Sequence, residues 1–139
     1  MPKAGAARLL TPHHGEFKRL GGQAGSDRIA AAQALAEKIR QVVLLKGPGT
    51  VIAEPGGRTR LNSTGSQALA SAGTGDVLAG LVGALMAQGL GTFDAASLGA
   101  HLQGLAADLY VAEKGMAGLM ATELAQRLPQ AVSHLWGKA

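Results

Sequence analysis

Residues 26–47 read SDRIAAAQALAEKIRQVVLLKG, and this stretch decides the fold class. Ser26 is a good N-cap residue and strong helix formers follow it, which predicts a helix of about 14 residues. The run VVLLKG is apolar and ends at a charge and a glycine, a pattern typical of a buried parallel strand. Upstream, ARLLTPHHGEF begins with a short apolar strand that ends at Pro12, which disfavours helical geometry at Thr11. This order of strand, helix and strand indicates a βαβ unit.

The segments after this unit predict a hairpin and then a helix. TVIAEPGGRTRLN contains two short alternating runs joined by EPGG, which has the composition of a tight turn. After the glycine loop AGTGD, apolar residues at helical spacing predict a helix through Gln88. Gly80 and Gly83 lie inside this helix, where glycine is unfavourable. We therefore expect them to permit tight packing against a neighbouring element.

Two further helices are expected toward the carboxyl end. The first runs from an N-cap at Thr92 to a stop at Gly115. The second starts at Thr122 and is interrupted or restarted at Pro129. No internal repeat or linker separates these segments. The elements predict a single α/β domain over residues 1–139, with strands first and helices after.

The composition narrows the class of protein. Hydrophobic residues make up 47% of the chain and charged residues 16%, which excludes a disordered protein. The absence of cysteine excludes disulfides and thiolate metal sites. The 13 Lys and Arg residues are scattered, so the formal charge of +4 does not favour nucleic-acid binding. The most apolar window, Val77 to Gly91, is shorter than the ~20 residues that cross a bilayer. We expect a soluble, cytoplasmic protein with no secretory signal and no membrane partner.

The stretch ASAGTGDVLAG, residues 70–80, permits two interpretations. Glycines before a helix expose backbone N–H groups that, with the helix dipole, can bind phosphate and stabilise negative charge. Asp76 in the first turn could then accept a proton from a nearby hydroxyl. Alternatively, the glycines form a plain turn and Asp76 caps the helix. The stretch is neither a Walker loop nor a dinucleotide-binding GxGxxG motif.

Three more segments carry polar groups near predicted strand ends. His13 and His14 follow the first strand, at the sheet edge where α/β folds bind ligands, although both could be ordinary surface residues. In LLKGPGT, Lys46 ends a buried strand and either faces an anion-binding cleft or extends its amine to solvent. Asn62 follows the hairpin and could line the same cleft. No Glu or Cys stands at ligand spacing beside the histidines, so no metal-ligating residues are predicted.

The order of these motifs is more specific than any one of them. LTPHHGEFKRL, LKGPGTVIA, NSTGSQALASAGTGDVLAGLVGALMAQG, GLAADL and GLMATELAQRLP follow one another along the chain. In this order they closely resemble the carboxyl-terminal half of the ADP/ATP-dependent NAD(P)H-hydrate dehydratase family, from about Leu9 to Val132. The resemblance implies part of a ribokinase-like α/β/α sandwich, with a mainly parallel sheet, a hairpin and carboxyl-terminal helices.

The resemblance also implies a reaction and a set of site residues. The family restores NAD(P)H from its S-form hydrate, NAD(P)HX, by phosphorylating the hydrate hydroxyl and eliminating phosphate, with ADP or ATP as co-substrate and Mg²⁺ expected with the nucleotide. Asp76 would be the catalytic base, and His13 and Asp76 would contact the hydrated nicotinamide. Asn62 would help place phosphates or Mg²⁺. The expected nucleotide-binding residues are Lys46, Gly47, Pro48, Gly49, Thr50, Asn62, Gly73, Thr74 and Gly75.

The chain departs from the family pattern in three ways. The family usually reads TPHPGE and TGNP, whereas this chain has His14 for the proline and Ser66-Gln67 for Asn-Pro. These changes are expected to loosen the loop that leads to the nucleotide site. Family domains are also longer, so we expect a truncated or split product whose activity needs the missing half. A partial sheet would leave an apolar edge, which favours a homo-oligomer, and a separate epimerase is a possible partner.

Two other functions remain open from the sequence. A ribokinase-like carbohydrate or small-molecule kinase would use the same anion hole and base. A non-catalytic nucleotide-binding subunit would keep part of the fold without turnover. The pairing of TPHHGE with KGPGT favours the dehydratase over the kinase, and the non-catalytic subunit stays open.

Overall fold

The computed structural model describes residues 6–23 and 25–137 of the chain. Four strands are present: β1 (Leu9–Leu10), β2 (Val42–Leu45), β3 (Val51–Ala53) and β4 (Thr59–Leu61). The helices are α1 (His14–Arg19), α2 (Arg28–Ile39), α3 (Thr74–Ala87), α4 (Thr92–Lys114) and α5 (Ala121–Trp136), with a 3₁₀ turn at Gln67–Leu69. None of these helices is long and apolar enough to cross a membrane.

The four strands form one mixed sheet in the order β1-β2-β3-β4. β1 pairs with β2 in parallel, with Leu9 opposite Val42, which confirms the βαβ unit. β2 and β3 are antiparallel, as are β3 and β4, which confirms the hairpin. The prediction of a mainly parallel sheet is therefore wrong for the described residues. The connection from β2 to β3 is too short for the crossover that parallel strands require.

The chain divides into two compact units. The first comprises the described residues up to Asn62 together with Leu90–Ser97, and the second comprises Ser63–Gly89 and the described residues from Leu98 onward. The prediction of a single domain over residues 1–139 stays a prediction.

The core of the first unit lies between α1, α2 and the sheet. Phe17 and Leu35 are almost fully buried there and cluster with apolar side chains of β2 and β3. All four residues of β2 are buried, as expected for a strand that is covered on both faces. The continuous apolar run VVLL therefore predicted correctly where the sheet would be most protected from water.

The core of the second unit consists of helical residues. Tyr110 and Leu102 of α4 cluster with Leu124 and Ala131 of α5 and with Leu119, which precedes α5. α5 is continuous across Pro129, so the predicted interruption is wrong, and the helix begins at Ala121 rather than Thr122. Leu124 and Ala131, both fully buried, anchor the helix on either side of the exposed Pro129. Packing on both sides offsets the backbone hydrogen bond that proline removes.

The starts of two other helices differ from the sequence prediction. Asp27, and not Ser26, is the N-cap of α2, and its carboxylate accepts a hydrogen bond from the Ala30 N–H at 3.0 Å. Thr92 is the first helical residue of α4 rather than its N-cap, and the Ala95 N–H bonds the Gly91 carbonyl at 2.9 Å. Both corrections move the start of a helix by one residue. Helix ends are the part of a helix that sequence signals locate least accurately.

The glycines of α3 do not have the predicted packing role. A Cβ placed on Gly80 or Gly83 would meet no atom of the described residues within 4 Å, so the expectation of tight packing there is wrong for this part of the chain. The close approaches belong to α4 instead. A Cβ on Gly99 would lie 2.5 Å from Val82 Cγ2, and one on Gly104 would lie 2.2 Å from Thr64 Oγ1.

The cap of α2 yields a matched pair of substitutions. Asp27→Ala should lower the free energy of unfolding by about 1 kcal/mol, because the Ala30 N–H loses its acceptor. Ser26→Ala, one residue earlier, should leave it almost unchanged. Urea denaturation of both variants measures the difference, and equal effects would contradict the assignment of the cap.

Candidate functional site

In the first unit, the LKGPGT segment lies beside the TPHHGE segment. Lys46 follows β2 directly, and its backbone N–H donates to the Pro12 carbonyl at 2.9 Å. The pKa of Glu16 on α1 is lowered mainly by the hydrogen bond from the His13 backbone, and the nearby Lys46 charge adds to this lowering. Gly47 (φ 147°) and Gly49 (φ 65°) have backbone conformations that side chains rarely adopt. The structure therefore brings two of the predicted motifs together at the ends of β1 and β2.

His13 is the N-cap of α1. Its Nδ1 accepts hydrogen bonds from the N–H groups of Gly15 (3.0 Å) and Glu16 (3.3 Å), and Glu16 Oε2 accepts from the His13 N–H at 2.8 Å. This reciprocal pair is a capping box. Since Nδ1 is an acceptor, the neutral ring carries its proton on Nε2. The ring is thus held in place while its side chain is 59% exposed, and its contact with the hydrate stays a prediction.

Both local departures from the family pattern stand at the start of helical turns. His14 is the first residue of α1, a position that also suits proline because its N–H needs no helical partner. The Ser66 hydroxyl accepts from the Ala68 N–H at 3.3 Å and caps the 3₁₀ turn at Gln67–Leu69. The serine therefore supplies a local cap in the segment that leads to the glycine loop.

In the second unit, the glycine loop ends in a helix start without a side-chain cap. Gly73 is the N-cap of α3 with φ 85°, and its carbonyl accepts from the N–H groups of Asp76 (3.1 Å) and Val77 (3.2 Å). Asp76 lies exposed in the first turn. Within residues 6–23 and 25–137, its carboxylate makes no hydrogen bond or ion pair. The interpretation of Asp76 as a cap is therefore wrong, and the carboxylate remains available for chemistry.

The buried side chains of Thr74 and Gln103 hold this loop through hydrogen bonds to its backbone. The Thr74 hydroxyl is buried and lies 2.8 Å from the Leu69 carbonyl and 2.9 Å from the Ser71 carbonyl, to which it donates. Gln103 of α4, also buried, donates from Nε2 to the Thr74 carbonyl at 2.6 Å. Thr74 was predicted to bind nucleotide. Because its hydroxyl is occupied by the loop, that prediction now depends on its backbone alone.

The segment after the hairpin is fixed in a similar way. The Asn62 N–H donates to the Thr50 carbonyl at 2.8 Å and extends the β3–β4 pairing. In the second unit, Thr64 Oγ1 donates to the His101 carbonyl at 2.9 Å, and the Gly65 N–H donates to Asp108 Oδ2 at 3.0 Å. Asp108 and Gln103 were not predicted from the sequence. Their only signal was polar residues within the apolar stretch LQGLAADL.

Arg28 is the third residue that the sequence did not reveal. From the first turn of α2, its guanidinium donates to backbone carbonyls on both sides of the LKGPGT turn, with Nη1 to Gly49 at 2.8 Å and Nη2 to Lys46 at 3.2 Å. It therefore closes the β2–β3 connection from the side of the helix.

The predicted site residues fall into two groups. The first unit contains His13, Lys46, Gly47, Pro48, Gly49, Thr50 and Asn62, and the second contains Gly73, Thr74, Gly75 and Asp76. Each group has ordered backbone geometry within its own unit. That the two groups form one cleft stays a prediction.

A family model matches residues 1–130 of the chain, and its description is NAD(P)H-hydrate dehydratase. The chain belongs to this family. It is 47% identical over 132 residues to the bifunctional NAD(P)H-hydrate repair enzyme of Salinibacter ruber, covering 94% of this chain. It is 43% identical over 122 residues to the ADP-dependent (S)-NAD(P)H-hydrate dehydratase of Neisseria meningitidis, covering 84%. The resemblance inferred from the motifs is therefore confirmed.

Solved structures confirm the fold. The ADP/ATP-dependent NAD(P)H-hydrate dehydratase of Bacillus subtilis, crystallised with ATP and Mg²⁺, superposes with a TM-score of 0.86 at 34% identity, over 96% of this chain. A ribokinase-like protein of Enterococcus faecalis superposes with a TM-score of 0.76 at 26% identity, over 91% of this chain. The prediction of part of a ribokinase-like α/β fold is confirmed.

The chain spans only part of the proteins it matches. It covers 24% of the Salinibacter repair enzyme, 41% of the Neisseria dehydratase and 50% of the Bacillus dehydratase. The activity, substrates and partners of those proteins therefore reach this chain as proposals.

The capping box at His13 predicts that the stability contributed by Glu16 depends on pH. The His13 backbone N–H is the largest cause that lowers the pKa of Glu16 from its ordinary value of 4.5. A carboxyl whose folded pKa is lowered stabilises the fold above its unfolded pKa, and that contribution is lost as the pH falls through the folded value. Glu16→Gln should thus be less stable than the unmodified chain at neutral pH, and the gap should close well below pH 4.5. Urea denaturation at the two pH values measures the gap, and a constant gap would contradict the prediction.

The close packing of Gly104 against the Thr64–Gly65 segment predicts that a side chain at this position lowers the stability of the protein. A Cβ at this position would lie 2.2 Å from Thr64 Oγ1 and 2.6 Å from the Thr64 carbonyl carbon. Gly104→Ala should therefore lower the free energy of unfolding by about 1–3 kcal/mol. The matched control Gly83→Ala meets no atom within 4 Å and should raise it by up to about 1 kcal/mol. Denaturation curves for the two helix glycines should shift in opposite directions.

Proposed function

We propose that this chain carries the phosphoryl-transfer half of an ADP- or ATP-dependent (S)-NAD(P)H-hydrate dehydratase, an enzyme of nicotinamide-cofactor repair. The observation that carries the proposal is the Asp76 carboxylate, which is exposed, unpaired among the described residues and placed in the first turn of α3. Membership of the family supports the choice of substrate.

Asp76 acts as the general base. It accepts the proton of the hydrate hydroxyl while that oxygen attacks the terminal phosphoryl group of the nucleotide. A new O–P bond forms, and the bond to the leaving nucleotide breaks, which yields AMP from ADP or ADP from ATP. The phosphate ester then loses inorganic phosphate as its C–O bond breaks and a proton leaves the adjacent carbon. The products are NAD(P)H, phosphate and the shortened nucleotide.

The start of α3 provides the electrostatic part of the mechanism. The first N–H groups of a helix have no helical acceptor and lie at the positive end of its dipole. Gly73 and Gly75 lack side chains, so phosphate oxygens can approach the backbone closely. Positioning and charge stabilisation of this kind provide most of the catalysis in phosphoryl transfer.

The nucleotide is held by the turn between β2 and β3. Lys46 provides a positive charge, and Gly47, Pro48, Gly49 and Thr50 provide backbone and hydroxyl contacts next to it. Asn62, whose backbone N–H donates to the Thr50 carbonyl, would help to place the phosphates. The sequence does not indicate whether the chain prefers ADP or ATP, so each assay is run with both nucleotides.

Mg²⁺ would enter with the nucleotide phosphates. No group of three or more His, Cys, Asp or Glu side chains clusters within the described ranges. Nucleotide-bound Mg²⁺ does not need such a cage, because it keeps several waters and uses one or two protein ligands plus phosphate oxygens. Asn62 would help to hold the ion through its side-chain oxygen, and the ion would neutralise phosphate charge.

The two groups of predicted site residues do not by themselves make a complete pocket for the hydrate. We infer that a cytoplasmic homo-oligomer, or the complementing half of the longer relatives, completes the pocket for the hydrate. A separate epimerase would supply the S form from the R form. His13, fixed by its capping box, would contact the nicotinamide from the first unit.

The base is tested with a pair of acidic residues that occupy the same place in two helices. The chain, with the complementing region of a relative present, is incubated with (S)-NADHX and ADP or ATP, and NADH is followed by its absorbance. Asp76→Asn should lower turnover by about 10²–10⁴-fold, because no group accepts the hydroxyl proton. Asp94→Asn, in the first turn of α4, should keep full turnover.

Three results would count against the proposal. Equal turnover by the two variants would exclude Asp76 as the base. Nucleotide consumption with a sugar or other alcohol, but not with NADHX, would favour the kinase. Nucleotide binding without turnover, unchanged by Asp76→Asn, would favour a binding subunit.

A further inference from the structure

The guanidinium of Arg28 binds four backbone carbonyls, one at the end of β2 and three in the turn between β2 and β3. Nη1 donates to the carbonyls of Pro48 and, at 2.8 Å, Gly49. Nη2 donates to the carbonyls of Leu45 at 3.3 Å and Lys46 at 3.2 Å. One planar, rigid side chain thus joins the end of β2 to the far side of the turn.

These hydrogen bonds determine where the N–H groups of the turn point. In a trans peptide, the carbonyl of one residue and the N–H of the next residue point in opposite directions. Because Arg28 takes the carbonyls of Lys46, Pro48 and Gly49, the N–H groups of the residues that follow point away from it. Those three donors belong to Gly47, Gly49 and Thr50.

The three N–H groups have no acceptor of their own. None of them donates a hydrogen bond within the residues that the structure describes. Successive unpaired N–H groups that point to one side of a turn form a concave anion-binding surface. Gly47 and Gly49 leave this surface free of side chains and are exposed, so a phosphate group can reach the backbone.

The turn and the arginine fit each other closely. A Cβ on Gly47 would lie 2.7 Å from Arg28 Nη2, so only glycine lets the guanidinium approach. The Asp27 cap fixes the start of α2 and with it the place from which Arg28 reaches the turn. A lysine in its place has one nitrogen and three donors, and it cannot span carbonyls on both sides of the turn.

We propose that Arg28 is a positioning residue for the nucleotide: it orients the N–H groups of Gly47, Gly49 and Thr50 toward the phosphates of ADP or ATP without touching them. The proposal rests on the proposed function, because it takes these N–H groups as part of the nucleotide site. Arg28 acts through its hydrogen bonds to the turn, and its positive charge adds to the field at the bound phosphates.

The test compares two arginines of the same helix. Arg28→Lys keeps the charge and the helix propensity but loses the geometry. Arg40→Lys makes the same change at the other end of α2, where Arg40 forms an ion pair with Glu37. Calorimetric titration of the chain with ADP and with ATP should show about tenfold or greater loss of affinity for Arg28→Lys and none for Arg40→Lys. Equal affinities for the two variants would overturn the proposal.

Chemical rescue separates positioning from general stability. Arg28→Ala should bind ADP weakly, and added methylguanidinium should restore part of the affinity, whereas methylammonium should not. The amide NMR resonances of Gly47, Gly49 and Thr50 should shift in both Arg28 variants and stay in place in Arg40→Lys, because the peptide groups change orientation only when Arg28 is altered. If Arg28→Ala does not fold, the comparison of the two lysine variants decides alone.

The two proposals fail in different ways. If the unmodified chain, with the complementing region of a relative present, does not bind ADP or ATP, the proposed function is wrong for this chain, and the role of Arg28 is overturned with it. If the unmodified chain binds nucleotide and Arg28→Lys binds it equally well, only the role of Arg28 is wrong.

Discussion

The five-residue connection between β2 and β3, closed by Arg28, is the constraint on which the first unit depends. It is too short to form a crossover, so β3 must run antiparallel to β2, and β4 follows through a second tight turn. The same connection consists of five of the predicted nucleotide-binding residues, Lys46 to Thr50. Sheet topology and the candidate phosphate surface are therefore consequences of one turn, in which carbonyls face α2 and N–H groups face away.

In the second unit, the loop before α3 is likewise held by side-chain hydrogen bonds to its backbone. The buried side chains of Thr74 and Gln103 hold the backbone of the glycine loop through hydrogen bonds, while the Asp76 carboxylate lies exposed. Buried hydrogen bonds of this kind fix a loop because leaving either partner unpaired costs free energy. In both units, a side chain from a distant part of the sequence thus binds a backbone carbonyl of a predicted site segment, Arg28 in the first and Gln103 in the second.

The local elements were largely predictable because their signals are short-range. Continuous apolar residues gave β2, the EPGG turn gave the hairpin, and helical spacing gave α3. The errors had non-local causes. Packing on both sides kept α5 intact across Pro129, and the glycines with close neighbours were on α4 rather than α3. Such outcomes depend on which element lies opposite, and a single sequence does not contain that information.

The sequence by itself determined the family, the order of the motifs and the residues that carry the proposed chemistry, since these depend on residue type and spacing. Only the tertiary structure decided which side chains hold those motifs in place. Arg28 lies 20 residues from Pro48, and Asp108 lies 43 residues from Gly65. These hydrogen bonds form because the fold brings distant segments of the chain together. The partner in each case is a backbone carbonyl or N–H group, which nearly every residue type has. The residue type at the partner position therefore does not indicate the bond.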